Sequence, residues 1–296
     1  MRIFVTGATG FVGAAFCRHA LANGHQVAGL ISPSKIAPAL GAKTNAPVWL
    51  QGRLEQLPIT ELKTFQPEVC VHSAWISTPG EYLESPLNER HVRWGEALVK
   101  AMAQIGVRYF LGVGTCLEYA PSSAPLLEDV SPTADVTAYA RAKNLFREQL
   151  FAAAPQGNFA AAWGRIFYPY GPGEPPAKLC TSLIQKFRRG EQLVLKTPTS
   201  TKDYIHIDDL ASAMLTTVER QFTGMINWGT STGTSIRTIA DSIAAQLGCP
   251  ELVAEVKPRQ IDPLGYVVAD TRRLNGLGWK PKIDLATGIN GLIAAV

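Results

Sequence analysis

The sequence predicts an α/β protein built on a doubly wound parallel sheet, with a smaller C-terminal lid domain. Three observations predict it. Short apolar runs alternate with helical patterns through the first half, and a glycine-rich turn separates the first run from the first helix. After the sixth run, Tyr168-Pro-Tyr-Gly-Pro-Gly-Glu-Pro-Pro176 interrupts the alternation with residues that favour neither regular structure.

The strands expected in the first half are Ile3 to Thr6, Gln26 to Ile31, Val48 to Leu50, Val69 to Ser73, Tyr109 to Val113 and Ala160 to Ile166. They read as near-continuous apolar runs, as strands covered on both faces do. Between them Phe11 to Ala22, Leu87 to Ile105 and Ala138 to Ala153 have helical length and spacing. This alternation defines a Rossmann-type domain over residues 1–166. Residues 167–296 are expected to form mainly the substrate-binding lid, with helices at Leu179 to Arg189, Asp208 to Val218 and Ile236 to Leu247 and a strand at Met225 to Trp228. The helix near 208–218 is expected to pack back on the first domain. The sequence contains neither an internal repeat nor a low-complexity segment.

A chain of 296 residues can bury a sizeable core, and a hydrophobic share of 46% beside 18% charged residues excludes disorder as the main state. The 28 basic residues exceed the 24 acidic ones by four and are scattered, which makes nucleic acid a poor partner. Cys17, Cys70, Cys116, Cys180 and Cys249 are widely spaced with no CxxC pair, which points away from zinc and disulfides and toward a reducing, cytoplasmic setting. The histidines show no metal-ligand spacing. Met1-Arg2 and the apolar residues after it faintly resemble a secretory signal, but Gly7, Gly10 and Gly13 break the run. No apolar stretch reaches the roughly 18 residues of a membrane span.

Thr6-Gly7-Ala8-Thr9-Gly10-Phe11-Val12-Gly13 joins the first strand to the first helix. Backbone N–H groups and the helix dipole at such a turn favour a pyrophosphate, and glycines let the backbone approach it. The dinucleotide fingerprint also expects an acid at the end of the second strand to hold ribose hydroxyls. Leu30-Ile31-Ser32-Pro33-Ser34-Lys35 has none. Ser32, Ser34 and Lys35 suit a 2′-phosphate instead, so NADP(H) is preferred and NAD(H) is the alternative.

Tyr139-Ala-Arg-Ala-Lys143 lies on the helix after the fifth strand, and a spacing of four puts phenol and ammonium on one face. With Thr115 at the end of the fifth strand, these groups would converge on a nicotinamide. A free phenol has a pKa of about 10, so acid/base work near neutrality needs roughly 3 to 4 kcal/mol of preference for phenolate, which Lys143 and an oxidised nicotinamide can supply.

These residues resemble the NAD-dependent epimerase/dehydratase branch of the extended short-chain dehydrogenases/reductases, which act on nucleotide sugars, and the likeness covers essentially the whole chain. Thr6 to Gly13 is similar to that family's TGxxGxxG, His72-Ser-Ala74-Trp75 to its fourth-strand segment, and Gly114-Thr115-Cys-Leu-Glu-Tyr119 to the segment with its catalytic Ser or Thr. Arg165-Ile-Phe-Tyr-Pro-Tyr-Gly-Pro-Gly173 is similar to its RxxNxYGPG, and Lys202-Asp-Tyr-Ile-His-Ile-Asp-Asp209 to its RDYxHVxD. The resemblance implies Thr115, Tyr139 and Lys143 as catalytic residues. It implies Gly7, Thr9, Gly10, Phe11, Val12, Gly13, Leu54, Ala74, Trp75 and Phe167 as further dinucleotide contacts. On the substrate side it implies Lys202 and Arg259 on a nucleotide-sugar diphosphate, Lys178 on the lid loop, and Cys116 and Tyr168 near the sugar. It also implies a homodimer through the helices Leu87 to Ile105 and Ala138 to Ala153.

Four departures from the family pattern matter. Cys116-Leu117 stands where sugar 4,6-dehydratases carry Asp-Glu, Lys202 where an Arg is usual, Tyr168 where an Asn contacts substrate, and Arg53 where an acid holds adenine. The absent acid pair argues against dehydration. The expected activity is therefore NADPH-dependent reduction of a nucleotide-linked 4-keto-6-deoxyhexose, with Tyr139 protonating the new hydroxyl. The alternatives are a nucleotide-sugar 4-epimerase that keeps NAD bound and, less in keeping with the intact Thr115, Tyr139 and Lys143, a noncatalytic dinucleotide sensor.

Overall fold

The computed structural model of the chain describes residues 1–40, 45–254 and 261–296. In chain order the elements are β1 (Arg2–Thr6), α1 (Phe11–Ala22), β2 (Gln26–Ile31), β3 (Val48–Gln51), α2 (Ile59–Phe65), β4 (Val69–His72), α3 (Leu87–Ile105), β5 (Tyr109–Thr115), α4 (Ala138–Gln156) and β6 (Ala160–Ile166). They continue with β7 (Tyr168–Tyr170), α5 (Leu179–Arg188), β8 (Thr201–His206), α6 (Ile207–Glu219), β9 (Gly224–Trp228), β10 (Gly233–Ser235), α7 (Ile236–Gln246), β11 (Tyr266–Val267), α8 (Arg272–Gly276) and α9 (Leu285–Ala295).

Seven parallel strands form the main sheet in the order β3-β2-β1-β4-β5-β6-β9. The chain winds from β1 to β3 on one side, then returns to β4 on the other, so the crevice at the carboxyl ends of β1 and β4 is the topological switch point. Both faces are covered. One core packs α1 and α6 on the sheet through Phe16, Leu21, Leu210, Met214 and Trp228; the other packs α2, α3 and α4 through Leu62, Leu98, Met102, Phe146 and Leu150. That double burial explains the unbroken apolar strands.

A smaller sheet has β8 at its centre, antiparallel to β10 and parallel to β11 and β7. Beside it α5, α7 and α9 share a separate core around Leu183, Ile184, Ile239, Ile243 and Ile289. The stretch expected to interrupt regular structure contains β7, because Tyr168 to Tyr170 can extend along Tyr204 to His206 before Gly171 turns the chain. The second half also gives more to the main sheet than the helix expected to pack back on it. The strand expected in the lid, Met225 to Trp228, is the edge strand beside β6, and Leu274 and Trp279 join the α1/α6 core. The physical reason is apolar: without β9 and Trp228, one flank of β6 and its covering helix would lie open.

Among the described residues, no helix is long and apolar enough to cross a membrane. The five cysteines are free, and four are buried.

Candidate active site

The glycine turn sits at the switch point. Gly7 has φ +71°, and a Cβ there would stand 2.7 Å from the backbone nitrogen of Ala74; one on Gly13 would stand 2.2 Å from the carbonyl oxygen of Gly7. Only glycine lets the turn, α1 and the β4 loop close this tightly. Gly10 opens α1 with no side-chain cap and no acid in the first turn, which leaves the helix N–H groups to an outside acceptor. Thr6 fastens the turn from below: its hydroxyl accepts from Ala74 N at 3.3 Å and lies 2.7 Å from Nδ1 of His72. Burial keeps His72 neutral, with its pKa well below the usual histidine value. These features fit a dinucleotide's pyrophosphate.

The other expected dinucleotide contacts follow the carboxyl ends of β1, β2, β3 and β6. Thr9, Phe11 and Val12 are half-buried at the start of α1, and Leu54 is buried beyond β3. Phe167 is buried after β6, its N–H donating to Trp228 O at 3.2 Å. Ser32, Ser34 and Lys35 follow β2 directly, with the two serine hydroxyls 3.0 Å apart and Lys35 N donating to Ser32 O at 2.9 Å. Arg53 is exposed on its own turn with Gln56.

Thr115 ends β5, two residues beyond the strand expected from sequence. Its hydroxyl accepts from Leu117 N at 3.3 Å, while the Glu118 carboxylate accepts from Thr115 N at 2.8 Å, a reciprocal cap that fixes the turn Cys116–Glu118. Glu118 is fully buried and also accepts from Arg165 Nε at 2.8 Å and from the Trp163 indole at 3.0 Å; the Arg147 guanidinium stands 3.4 Å away. Sequence reasoning missed this hub. The spacing Thr115-x-x-Glu118 was the signal that could have found it.

Tyr139 enters α4 after the N-cap Thr137, and its backbone N–H donates to Leu83 O at 2.9 Å. Its ring meets Tyr82 edge-on, with centroids 5.0 Å apart. Burial pushes the phenol's pKa up, and the nearby Tyr82 and Glu118 act in the same direction; the neighbouring Thr115 side chain pulls it down. One turn later Lys143 is buried, its Nζ donating to Val113 O at 2.7 Å, two residues before Thr115. Nζ is 5.8 Å from the Tyr139 ring centroid and 3.8 Å from that of Trp75. Burial pulls the Lys143 pKa down to about 7, against the attraction of Glu118. Thr115, Tyr139 and Lys143 thus meet in one place.

On the substrate side the outcome is mixed. Burial pushes the Cys116 thiol up to about 12, which removes it as an acid or base near neutrality. The thiol packs with Tyr119, Leu126, Phe167 and Val267 instead. Tyr168 lies against Tyr204, with ring centroids 5.8 Å apart. Lys178 is half-buried at the N-cap of α5. Lys202 is buried and already paired: Nζ donates to Asp262 Oδ2 at 2.9 Å and to the carbonyl of Leu264, and the same carboxylate accepts from the Ser200 hydroxyl. Asp262 is a further residue missed from sequence, joined to Lys202 across 60 residues. Arg259 lies outside the described residues.

The family model of the NAD dependent epimerase/dehydratase family matches residues 3–229. The chain is 28% identical over 310 residues to a UDP-glucose 4-epimerase of Corynebacterium glutamicum, covering 97% of this chain and 93% of that protein. A structure of UDP-glucose-4-epimerase from Stenotrophomonas maltophila with bound NAD and formylated UDP-arabinopyranose superposes with a TM-score of 0.85 at 22% identity, covering 100% of this chain and 97% of that one. An NAD-dependent NDP-hexosamine 5,6-dehydratase gives a TM-score of 0.83 at 24% identity, covering 100% and 97%.

Proposed function

Since the chain belongs to the NAD dependent epimerase/dehydratase family, we propose that it is a nucleotide-sugar 4-epimerase that retains NAD and inverts one carbon without net use of cofactor. One observation carries the chemistry: Lys143 is anchored at Val113 O, two residues before Thr115, with its ammonium 5.8 Å from the Tyr139 ring one turn earlier on the same helix. The choice of epimerisation over the ketoreduction expected from sequence rests on two curated relatives named UDP-glucose 4-epimerase, which match over 93% and 96% of their length.

A dinucleotide held in this crevice would supply hydride acceptance and return. Burial holds the Tyr139 phenol up in the ligand-free chain, so it would serve as base only with the Lys143 ammonium and an oxidised nicotinamide beside it; it would then take the proton from the C4 hydroxyl as that carbon is oxidised and give it back to the carbonyl oxygen on re-reduction. Thr115 hydrogen-bonds the same oxygen. Lys143 would stabilise the phenolate by its charge and hold the nicotinamide ribose hydroxyls. Neither residue after Thr115 suits the elimination of water: Cys116 is held as a neutral thiol and Glu118 is bound to Arg165. On the nucleotide side, Lys178 and Lys202 face the diphosphate in this reading, with Lys202 exchanging Asp262 for a phosphate oxygen, and Tyr168 flanks the sugar. The same reading carries a homodimer through α3 and α4, expected as twice the chain mass in light scattering.

One observation favours the second reading, an NADP(H)-dependent 4-ketoreductase: no carboxylate follows β2, where Ser32, Ser34 and Lys35 stand. The deciding experiment offers the purified protein UDP-glucose or UDP-galactose without added cofactor, analyses the sugars, and identifies nucleotide released on denaturation. Interconversion with NAD released supports the epimerase. Inert UDP-hexoses, with stoichiometric NADPH consumption on a nucleotide-linked 4-keto-6-deoxyhexose, would replace it by the reductase.

A further inference from the structure

Lys143 is buried with one protein oxygen, Val113 O, in hydrogen-bond range of its ammonium. Three aromatic rings stand near it, Trp75 and, at 5.8 Å each, Tyr139 and Trp163. Nζ lies 3.8 Å from the centroid of the Trp75 ring, well inside the distance at which an indole face attracts a cation. The indole is itself held. Its Nε1–H donates to Asn88 Oδ1 at 2.9 Å, and the Asn88 amide donates to Tyr82 O at 2.7 Å and Ser85 O at 3.0 Å. Asn88 is fully buried in the first turn of α3. One turn on, His91 stacks on the same indole at 5.0 Å with an interplanar angle of 23°. Burial, helped by the charge of Lys143, lowers the His91 pKa to about 4, so a neutral ring packs there.

We propose that Trp75 is a positioning residue for Lys143: its indole face is the second seat of the ammonium beside Val113 O, and Asn88 and His91 on α3 hold the indole in that orientation. An ammonium has three N–H groups, and a buried one with too few partners would turn away or lose its proton. Val113 O takes one N–H and the indole face another, which leaves one for the acceptors on the reacting side. A leucine of similar bulk would fill the space without attracting the charge. The role of the ammonium in catalysis rests on the proposed function; the seat itself does not.

The test uses the ligand-free protein with 5-fluorotryptophan incorporated, the Trp75 fluorine resonance being assigned by its loss in Trp75→Phe. The other titratable groups around the ammonium are Tyr139 on its own helix, His72 on β4, His91 on α3 and Glu118 after β5. Burial moves Tyr139 up and both histidines down, away from neutrality. The Trp75 resonance should therefore inflect near pH 7 and lose that inflection in Lys143→Met. In turnover, Trp75→Leu should lower kcat about tenfold with KM within about twofold and start the alkaline loss of activity at lower pH. A flat resonance, or one that Lys143→Met leaves unchanged, would overturn the seat, as would Trp75→Leu with the wild-type pH profile. Because the resonance is read without substrate, a wrong choice of sugar chemistry leaves that result standing.

Discussion

The Glu118 carboxylate and the Arg165 guanidinium lie 2.8 Å apart with 0% and 1% of their surfaces exposed. Through the same carboxylate β5, its following turn and β6 are tied at Thr115. Removing one partner of such a pair strands the other charge in the interior. Glu118→Ala should lower unfolding stability by about 3 to 5 kcal/mol in urea denaturation, and Glu118→Gln by less. In the folded Gln variant, kcat should fall more than KM rises, since Thr115 loses its anchor while the nucleotide contacts stay.

Tyr139→Phe should keep the fold and lose several orders of magnitude in turnover, by analogy with removal of an acid/base group positioned at a reacting oxygen. Circular dichroism and steady-state rates on one preparation check it. Near-wild-type turnover would remove Tyr139 as the proton carrier.

Lys143 titrates near 7 when folded and near 10.5 otherwise, so over that interval the unfolded chain binds more protons and stability must rise with pH. Below pH 7 both states are protonated and the burial penalty is fully present; above pH 10.5 it vanishes. Lys143→Met should therefore be more stable than wild type at neutral pH, by an amount on the order of a few kcal/mol. The advantage should shrink as pH rises toward 10, as read from denaturation midpoints. A constant difference across that range would place the lysine's pKa elsewhere.

Gly13→Ala should weaken dinucleotide binding about tenfold to a hundredfold, because its methyl group would meet the Gly7 carbonyl and push α1 off the turn. Calorimetric titration with NAD gives the affinity directly.

Lys35→Ala separates the two cofactor readings. If the loop after β2 holds a 2′-phosphate, NADP(H) affinity should drop about tenfold while NAD(H) affinity stays put. Equal effects on both would leave the loop without a role in the choice.

The parts most legible in sequence were those set by local pattern. Ile3 to Thr6, Gln26 to Ile31 and Ala160 to Ile166 are runs that a doubly covered sheet demands, and the spacing of Tyr139 and Lys143 fixes their common face. The smaller sheet was harder to see, because Thr201 to His206 carries lysine, aspartate and histidine in the strand and draws its order from pairing with three other strands. Met225 to Trp228 reads as a strand from its own residues, but its neighbour β6 is 62 residues away by register, which no local pattern reveals. The same holds at the site. Thr115 and Tyr139 were recognisable, whereas the seat of Lys143 on Trp75 and the pairing of Lys202 with Asp262 arise only when distant segments meet.

The return of β9 to the main sheet bears on how the molecule can be cut. A fragment ending at residue 166 would leave the hydrogen-bonding groups of β6 exposed along its whole outer side and strip α6 and Trp228 from the α1 core. Such a bare, apolar border invites pairing with another chain. The dinucleotide half is thus not a detachable module, and truncation there should yield aggregates in place of a minimal binding domain.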